Sequence, residues 1–258
     1  MTGIAKGTVL SLLADMGKVC AAYHDEHVRS VAAKRIQCDE IWSFCYGKDK
    51  NVSEEKRAEG AGSLWTWTAL DADSKLIVSY LCGGRDAGWA KSFMEDVASR
   101  LTTRVQITTD GHRAYVEAIE GAFGMDVDYA MLIKLYGSPA APETRYSPGV
   151  CIGTETVQVI GNPDSMHVST SYVERQNLTM RMSMRRLTRL TNAFSKKLEN
   201  HEHMLAIYFM YYNFCRVHQT LRVTPAMEAG ISLHVWTIGE MVALLDKRSI
   251  LDGLLKIA

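Results

Sequence analysis

The order in which apolar segments follow one another constrains the fold of this 258-residue chain more than any other feature. Residues 35–46 (RIQCDEIWSFCY) are rich in β-branched and aromatic side chains, which predicts a buried strand. Two further apolar runs, SLWTWTAL and KLIVSYLC, are separated by DADS at 71–74, a composition typical of a hairpin. The first third of the chain therefore predicts a strand followed by a hairpin.

Helices and strands alternate after this hairpin. Residues 86–101 carry apolar side chains at helical spacing, which predicts a helix with Asp86 as its N-cap. The runs at 104–109 (RVQITT) and 126–137 (DVDYAMLIKLYG) predict strands, with a helix at 112–123 between them. Together these segments predict an α/β fold, a mixed five-stranded sheet with helices on its faces.

Composition divides the chain into three parts. In the N-terminal helical segment, 1–33, residues 2–17 are typical of the turn and second helix of a helix-turn-helix, and equally of an ordinary N-terminal helix. Residues 34–198 hold the sheet and an irregular insertion at 137–170, which carries four of the five prolines and a predicted short hairpin, VCIGTETVQVI. Residues 199–258 are predicted to form a C-terminal helical extension.

Charge is distributed unevenly, although the formal net charge is zero. Residues 1–173 carry 17 Lys and Arg against 22 Asp and Glu, whereas residues 174–222 carry nine against three. A basic segment within a neutral chain indicates either a local surface for a polyanion or a solvated helix face. Charge by itself favours the solvated face.

The cysteines and the apolar runs indicate the compartment. The six cysteines are scattered without a Cys-x-x-Cys pair, no secretory leader opens the chain, and no apolar stretch approaches the roughly twenty residues that span a bilayer. These features predict a cytoplasmic protein with reduced thiols and no membrane partner. The sequence also lacks a P-loop, a GxGxxG motif and a Ser–His–Asp constellation, so it does not support an ATPase, a dehydrogenase or a serine hydrolase.

Three acidic residues stand out by their placement. Asp39 lies within the first apolar strand, Asp110 ends the fourth strand, and Glu174 lies in the first turn of a helix predicted at 171–190. Each alone has an ordinary role, as an ion-pair partner, a helix cap or a partner of the helix dipole. As a set they indicate a metal site, because clustered carboxylates stay ionised only beside cations and their hard oxygens suit Mg²⁺ or Mn²⁺. Two such ions support phosphoryl displacement.

Four blocks of this chain resemble the DDE transposases of the insertion-sequence-one family. The blocks are DEIWSFCYGKDKN (39–51), ALDADSKLIVSYLCGGRD (69–86), TTDGHRAY (108–115) and the segment that opens SYVERQN (171–201). The resemblance covers roughly residues 35–135 and 168–225. It implies an RNase H-like fold, a metal-binding triad of Asp39, Asp110 and Glu174, and cleavage at element ends followed by strand transfer. With double-stranded DNA as the partner, we expect a homo-oligomer on DNA at the nucleoid.

The chain departs from the family's pattern in two places. The interval between Asp110 and Glu174 is longer than in the best-known members because of the insertion at 137–170. The N-terminal zinc-binding and helix-turn-helix region is mostly missing, which leaves residues 2–17 as a candidate remnant. Two alternatives therefore stay open: a non-catalytic or domesticated DNA-binding derivative, and a stand-alone RNase H-like nuclease that cleaves without strand transfer.

Six residues are candidates for contacts with DNA. They are Lys48, Lys50, His112, Asn177, Arg181 and Arg185. A rotation of 100° per residue places the last three on the same helix face as Glu174, where a phosphate backbone would pass the metal site. The two lysines also fit plain surface positions, and His112 also fits a helix cap. A second face of that helix is predicted to be core, and it consists of Met180, Met184 and Leu187.

Overall fold

The computed structural model describes residues 3–137 and 149–246, and within these ranges a six-stranded mixed sheet forms the centre of the fold. The strands are β1 (Arg35–Cys45), β2 (Gly62–Asp71), β3 (Ile77–Gly83), β4 (Val105–Thr109), β5 (Val127–Tyr136) and β6 (Cys151–Ile160). Across the sheet their order is β3-β2-β1-β4-β5-β6. The pairs β1–β2, β2–β3 and β5–β6 are antiparallel, whereas β1–β4 and β4–β5 are parallel. The predicted strand, hairpin and two later strands are all present.

The sixth strand differs from the sequence prediction. Instead of a short hairpin at 150–160, β6 is one strand that pairs with β5 over almost its whole length. Alternating side chains look alike in a hairpin and in a longer strand, so the local pattern did not reveal that the partner was β5. The count of five strands is therefore wrong for this sheet. Residues 138–148 of the predicted insertion lie outside the described residues.

The helices cover both faces of the sheet. They are α1 (Lys6–His27), α2 (Glu54–Ala58), α3 (Ala87–Arg100), α4 (Ala114–Phe123), α5 (Ser171–Ser183), α6 (Leu198–Met210), α7 (Pro225–Glu228) and α8 (Ile238–Val242). The predicted cap of α3 is confirmed, because the Asp86 carboxylate accepts from the N–H groups of Gly88 and Trp89. Residues 6–27 form one continuous helix that packs on α6. Within the described ranges, no helix combines the length and hydropathy that a membrane span requires.

Each face of the sheet has its own apolar core. In β1, Cys38 packs into the core that α1, α3 and α4 cover, whereas Ile41 packs into the core that α5 covers. Helix α6 contributes to both cores, with Met210 in the first and Phe209 in the second. Because successive side chains of a strand point to opposite faces, Asp39 shares the face of Ile41 and the next residue shares the face of Cys38.

Helix α5 is shorter than the helix predicted at 171–190. It ends at Ser183, and a 3₁₀ turn, Arg185–Leu187, follows after one extended residue. The predicted core face is buried, and it consists of Met180, Met184 and Leu187. Packing of the turn near β1 overrides the helix propensity of the basic residues that follow.

Candidate metal centre

Asp39 and Asp110 meet at the point where β1 and β4 stop pairing. The parallel register of β1 and β4 ends at Gln37 and Thr108. Asp39 lies two residues beyond Gln37 in β1, and Asp110 lies two residues beyond Thr108, directly after β4. Parallel strands bring equivalent positions to the same edge of a sheet, which is where sites of open α/β sheets form. The sequence segments around positions 39 and 110 thus reach one edge of the fold.

Glu40 joins these two aspartates. Asp39, Glu40 and Asp110 each contribute an oxygen to a group in which all ligand atoms lie within 4.8 Å of one another. The Glu40 side chain is fully buried, and neither of its oxygens has a hydrogen-bond partner in the described part of the chain. Burial, followed by the nearby charge of Asp110, raises the pKa of Glu40 from 4.5 to about 8.

Two basic side chains face this buried carboxylate. The Arg85 guanidinium lies 3.5 Å from Glu40 and 3.9 Å from Asp110, and His112 Nε2 lies 3.7 Å from Glu40. The first separation is an ion-pair contact without hydrogen-bond geometry, which is consistent with the unpaired Glu40 oxygens. Burial and the Arg85 charge lower the pKa of His112, so this imidazole balances little of the acidic charge at neutral pH.

Asp39 is held from two sides. Its carboxylate accepts from the Glu40 backbone N–H at 2.9 Å and from Asn177 Nδ2 at 2.8 Å. Burial, then the charge of Asp110, raises the pKa of Asp39 from 3.8 to about 6, and Glu174 also raises it. Asn177 lies three residues after Glu174 on α5, so its hydrogen bond to Asp39 brings the helix face that carries Glu174 beside this carboxylate.

Glu174 reaches this environment on α5. Gln37 Oε1 accepts from the backbone N–H groups of Tyr172 and Val173, at 2.9 and 3.1 Å, and so caps the helix from β1. The Glu174 carboxylate accepts from Thr170 Oγ1 at 2.5 Å and forms an ion pair with Lys134 of β5. It lies outside the 4.8 Å group formed by Asp39, Glu40 and Asp110.

The donor set fits a hard divalent cation. Carboxylate oxygens are the ligands that Mg²⁺ and Mn²⁺ prefer, and Asp39, Glu40, Asp110 and Glu174 supply them. The buried oxygens of Glu40 and the buried Oδ1 of Asn177 have no partner among the described residues. A buried polar atom without a partner is costly, and a cation in the group would compensate for that cost.

Two of the predicted DNA contacts lie inside the centre instead of on its surface. Asn177 is buried and donates to Asp39, while the His112 ring lies between the Arg85 carbonyl and Glu40. The His112 backbone N–H donates to Asp110 at 2.9 Å, so Asp110 closes a turn before α4.

The predicted basic face of α5, the helix that carries Glu174, extends only to Arg181. This guanidinium is half-buried and donates to the carbonyls of Leu187 and Trp42, at 2.7 and 3.4 Å. Arg185 does not share the helix face of Glu174, because α5 ends at Ser183. Arg185 and Lys48 instead line a surface cavity of about 690 Å³ beyond the end of β1.

Sequence reasoning missed several residues of the centre. Glu40 carried a usable signal, since a second charge directly after Asp39 in a buried strand needs an explanation. Arg85 and Lys134 carried none, because each reaches the centre through the pairing of strands distant in sequence. Gln37 carried none because its partners lie at the start of α5, far along the chain.

The comparison with protein-family models finds a transposase family. Residues 162–215 match the family described as IS1 transposase, a segment that holds Glu174 but neither of the two aspartates. A piggyBac transposase, solved in a synaptic complex with hairpin DNA, is similar with a TM-score of 0.33 and 11% identity over 84% of this chain. The chain spans about half of that transposase, 54% of its length. No curated protein matches the chain. The family match supports a transposase.

Proposed function

We propose that this chain is a DDE transposase that uses divalent metals to cleave DNA at element ends and join it to a target. The convergence of Asp39, Asp110 and the Glu174 helix on one sheet edge carries the proposal. Burial and the neighbouring charge of Asp110 raise the pKa of Asp39, and sequence-distant carboxylates brought together in this way persist where cations bind.

The strand order supports an RNase H-like catalytic core. Three antiparallel strands, β1 to β3, are followed by β4 and β5 in parallel, and helices cover both faces. On this frame the candidate acids lie within β1, directly after β4 and in the first turn of α5. This is the arrangement that the family resemblance implies, with β6 as an added edge strand.

Asp39, Asp110 and Glu174 would hold two Mg²⁺ or Mn²⁺ ions, with Glu40 beside them. When bound, such ions supply an activated water or 3′-hydroxyl and stabilise the leaving oxygen of a phosphodiester. The chain itself orients the ligands: Asn177 directs the Asp39 carboxylate, and Gln37 fixes the helix that presents Glu174. Arg85 and Lys134 neutralise part of the acidic charge before metal binds.

DNA would approach across the basic residues beside the centre. Arg185 and Lys48 are in position for phosphates, as is the exposed Lys50 in the 3₁₀ turn Asp49–Asn51. Arg181 instead supports the turn that positions Arg185, and Asn177 and His112 act as positioning residues. Strand transfer joins two element ends to one target, so a homo-oligomer on double-stranded DNA is the expected active form.

The test is incubation with a duplex that carries the terminal sequence of the encoding element, in Mn²⁺, with nicked and joined products resolved on a sequencing gel. Asp110→Asn should lose both products and still bind DNA, because binding rests mainly on phosphate contacts. Glu120→Gln, a carboxylate removed from the exposed face of α4, is the matched control and should keep both products.

The products separate the competing functions. Nicks without joined molecules would identify a nuclease and contradict strand transfer. Binding by the wild-type chain without either product would identify a non-catalytic DNA-binding derivative. Full activity of Asp110→Asn would refute the metal site.

A further inference from the structure

A row of aromatic side chains leads away from the acidic centre on the face opposite Asp39. In β1, Trp42 and Phe44 follow Glu40 at alternate positions and therefore share its face. Trp65 of β2 lies directly across from Trp42 in the register, and the Trp42 and Phe44 rings lie 5.8 Å apart. Phe194 continues the row, with its ring 4.8 Å from Phe44. We call Trp65, Trp42, Phe44 and Phe194 the aromatic strip.

Cations accompany this strip along its whole length. The Arg85 guanidinium lies 4.5 Å from the Trp65 ring centroid, Lys48 Nζ lies 5.9 Å from that of Phe44, and Lys196 Nζ lies 3.9 Å from that of Phe194. Arg85 is also the residue that contacts Glu40 and Asp110, so the strip begins at the acidic centre. Trp42, Trp65 and Phe194 remain partly exposed to solvent.

The strip ends at the cavity of about 690 Å³, which Phe44, Lys48, Arg185 and Arg189 help to line. No acidic residue is among its lining residues. The three cations of the cavity, Lys48, Arg185 and Arg189, form no ion pair within residues 3–137 and 149–246. Arginines elsewhere in the molecule do pair with acids, as Arg100 does with Asp96 at 2.7 Å. The cavity therefore has an excess of positive charge that the fold does not use.

Aromatic faces and cations together fit one kind of ligand. Bases stack on aromatic rings only where their faces are free, which holds for unpaired nucleotides and not for the interior of a duplex, while cations bind the phosphates between them. From Glu40 to Phe44, β1 rises by about 13 Å, the length of about four stacked nucleotides.

We propose that the aromatic strip and its cavity bind a short stretch of unpaired nucleotides in the DNA strand next to the acidic centre. This inference rests on the proposed function for its choice of DNA as the ligand. The bases stack on Trp65, Trp42 and Phe194, and the phosphates lie on Lys48, Arg185 and Arg189. The DNA substrate is accordingly one that is opened, or tailed, beside the phosphate that reacts.

The experiment measures affinity by fluorescence anisotropy in EDTA, so that no cleavage occurs. The probes are an oligothymidylate of about ten nucleotides, a blunt duplex, and the same duplex with a single-stranded tail. Phe194→Leu and Trp42→Leu remove the ring and keep an apolar side chain, whereas Phe194→Tyr and Trp42→Phe keep a ring. Lys48→Ala is compared with Lys91→Ala, an exposed α3 lysine that pairs with Glu95.

The leucine variants should bind the oligothymidylate and the tailed duplex about tenfold more weakly, the size of effect that loss of one stacked base produces. The ring-keeping variants and Lys91→Ala should match the wild type, and the blunt duplex should be unaffected by all four ring substitutions. Tryptophan fluorescence should also be quenched by the oligothymidylate, and less so in Trp42→Phe. Circular dichroism identifies any ring variant that does not fold. In that case the comparison of Lys48→Ala with Lys91→Ala still tests the proposal.

Equal losses on blunt and tailed DNA would overturn the proposal, and so would unchanged binding in the leucine variants. Tighter binding of an RNA oligonucleotide of the same length would assign the strip to RNA instead and likewise overturn it. If the leucine variants lose tailed-DNA binding selectively and the wild type never cleaves DNA, the proposed function is refuted and the proposal for the aromatic strip stands. If the wild type cleaves element ends and shows no preference for unpaired DNA, the proposal for the aromatic strip is refuted and the proposed function stands.

Discussion

The acidic centre and the basic cavity, two neighbouring regions along β1, treat charge in opposite ways. In the centre, Arg85 contacts Glu40 and Asp110 and Lys134 pairs with Glu174, yet buried carboxylate oxygens remain unpaired. In the cavity, Lys48 and Arg185 have no acidic partner in the described part of the chain. Each region is therefore short of one sign of charge, cations at the centre and anions at the cavity. Under the proposed function, the two regions bind different parts of one assembly, metal at the centre and DNA at the cavity.

The largest effect should come from removing a carboxylate of the centre. Asp110→Asn should lower the rate of DNA cleavage by about a thousandfold or more, because loss of metal assistance is worth several kcal/mol and each 1.36 kcal/mol is tenfold. Single-turnover cleavage in Mn²⁺ measures this. If Asp110→Asn instead lost DNA affinity and kept its cleavage rate, the division of roles between the acidic centre and the basic cavity would be wrong.

A smaller loss should follow when the orientation of Asp39 is released. Asn177→Ala removes the 2.8 Å hydrogen bond to that carboxylate, and loss of such a supporting contact costs about 10–100-fold in metal affinity or activity. Titration of Mn²⁺ by calorimetry or electron paramagnetic resonance measures the affinity. Asn51→Ala, in an exposed turn, serves as the control. Unchanged Mn²⁺ affinity would show that Asn177 only packs.

The charge deficit of the centre should be visible in stability without metal. The pKa of Glu40 rises from 4.5 to about 8 on folding, so the folded state holds its proton longer than the unfolded state does. The contribution of Glu40 to the stability of the metal-free protein should therefore fall as the pH increases from about 4.5 to 8. The difference in stability between the wild type and Glu40→Gln isolates this contribution from the opposite trend of the buried His24 and His201, whose pKa values burial lowers to about 4. At pH 8, Glu40→Gln should gain on the order of 1 kcal/mol, about 2–4 °C in Tm for a chain of this size.

Thermal melts at pH 5 and pH 8, with EDTA or Mn²⁺, measure this stability. Mn²⁺ should stabilise the wild type more at pH 8 than at pH 5, because the cation needs the ionised carboxylates. If the stability gained by Glu40→Gln over the metal-free wild type were no larger at pH 8 than at pH 5, the unpaired Glu40 oxygens would have a partner in solution and the deficit would not exist.

The smallest expected effect separates two arginines that the sequence placed together. Arg185→Ala should lower the slope of log affinity against log salt by about 0.9, since one phosphate contact is lost. Arg181→Ala should leave that slope unchanged and lower stability, because its guanidinium supports the Leu187 carbonyl. Affinities at several salt concentrations distinguish the two. If both variants lowered the slope equally, Arg181 would contact phosphate as Arg185 does, and the continuous basic helix face predicted from the sequence would be correct.

Local pattern was sufficient for elements whose determinants are close in sequence. The hairpin of β2 and β3, the Asp86 cap and the buried Met180–Met184–Leu187 set all depend on residues within a few positions of one another. The pairing of β6 with β5 and the end of α5 at Ser183 depend on distant partners, and neither was predicted. Asp39 and Asp110 were identifiable because a charge at or beside a buried strand is unusual, whereas Lys134 looked like any outward-facing strand lysine until Glu174 was placed beside it.

The hydrogen bonds that Gln37 accepts from the start of α5 have a consequence for how this chain tolerates change in length. They anchor the Glu174 helix to β1, the strand that carries Asp39, so the third acid takes its position from the sheet and not from the segment that leads to it. Insertions between β5 and β6 should thus leave the carboxylates where they are, at the small entropic cost of a longer closed loop, about 0.6 kcal/mol per doubling. Relatives of this chain can diverge freely in that interval, and grafted tags or sensor domains have a natural place of insertion there.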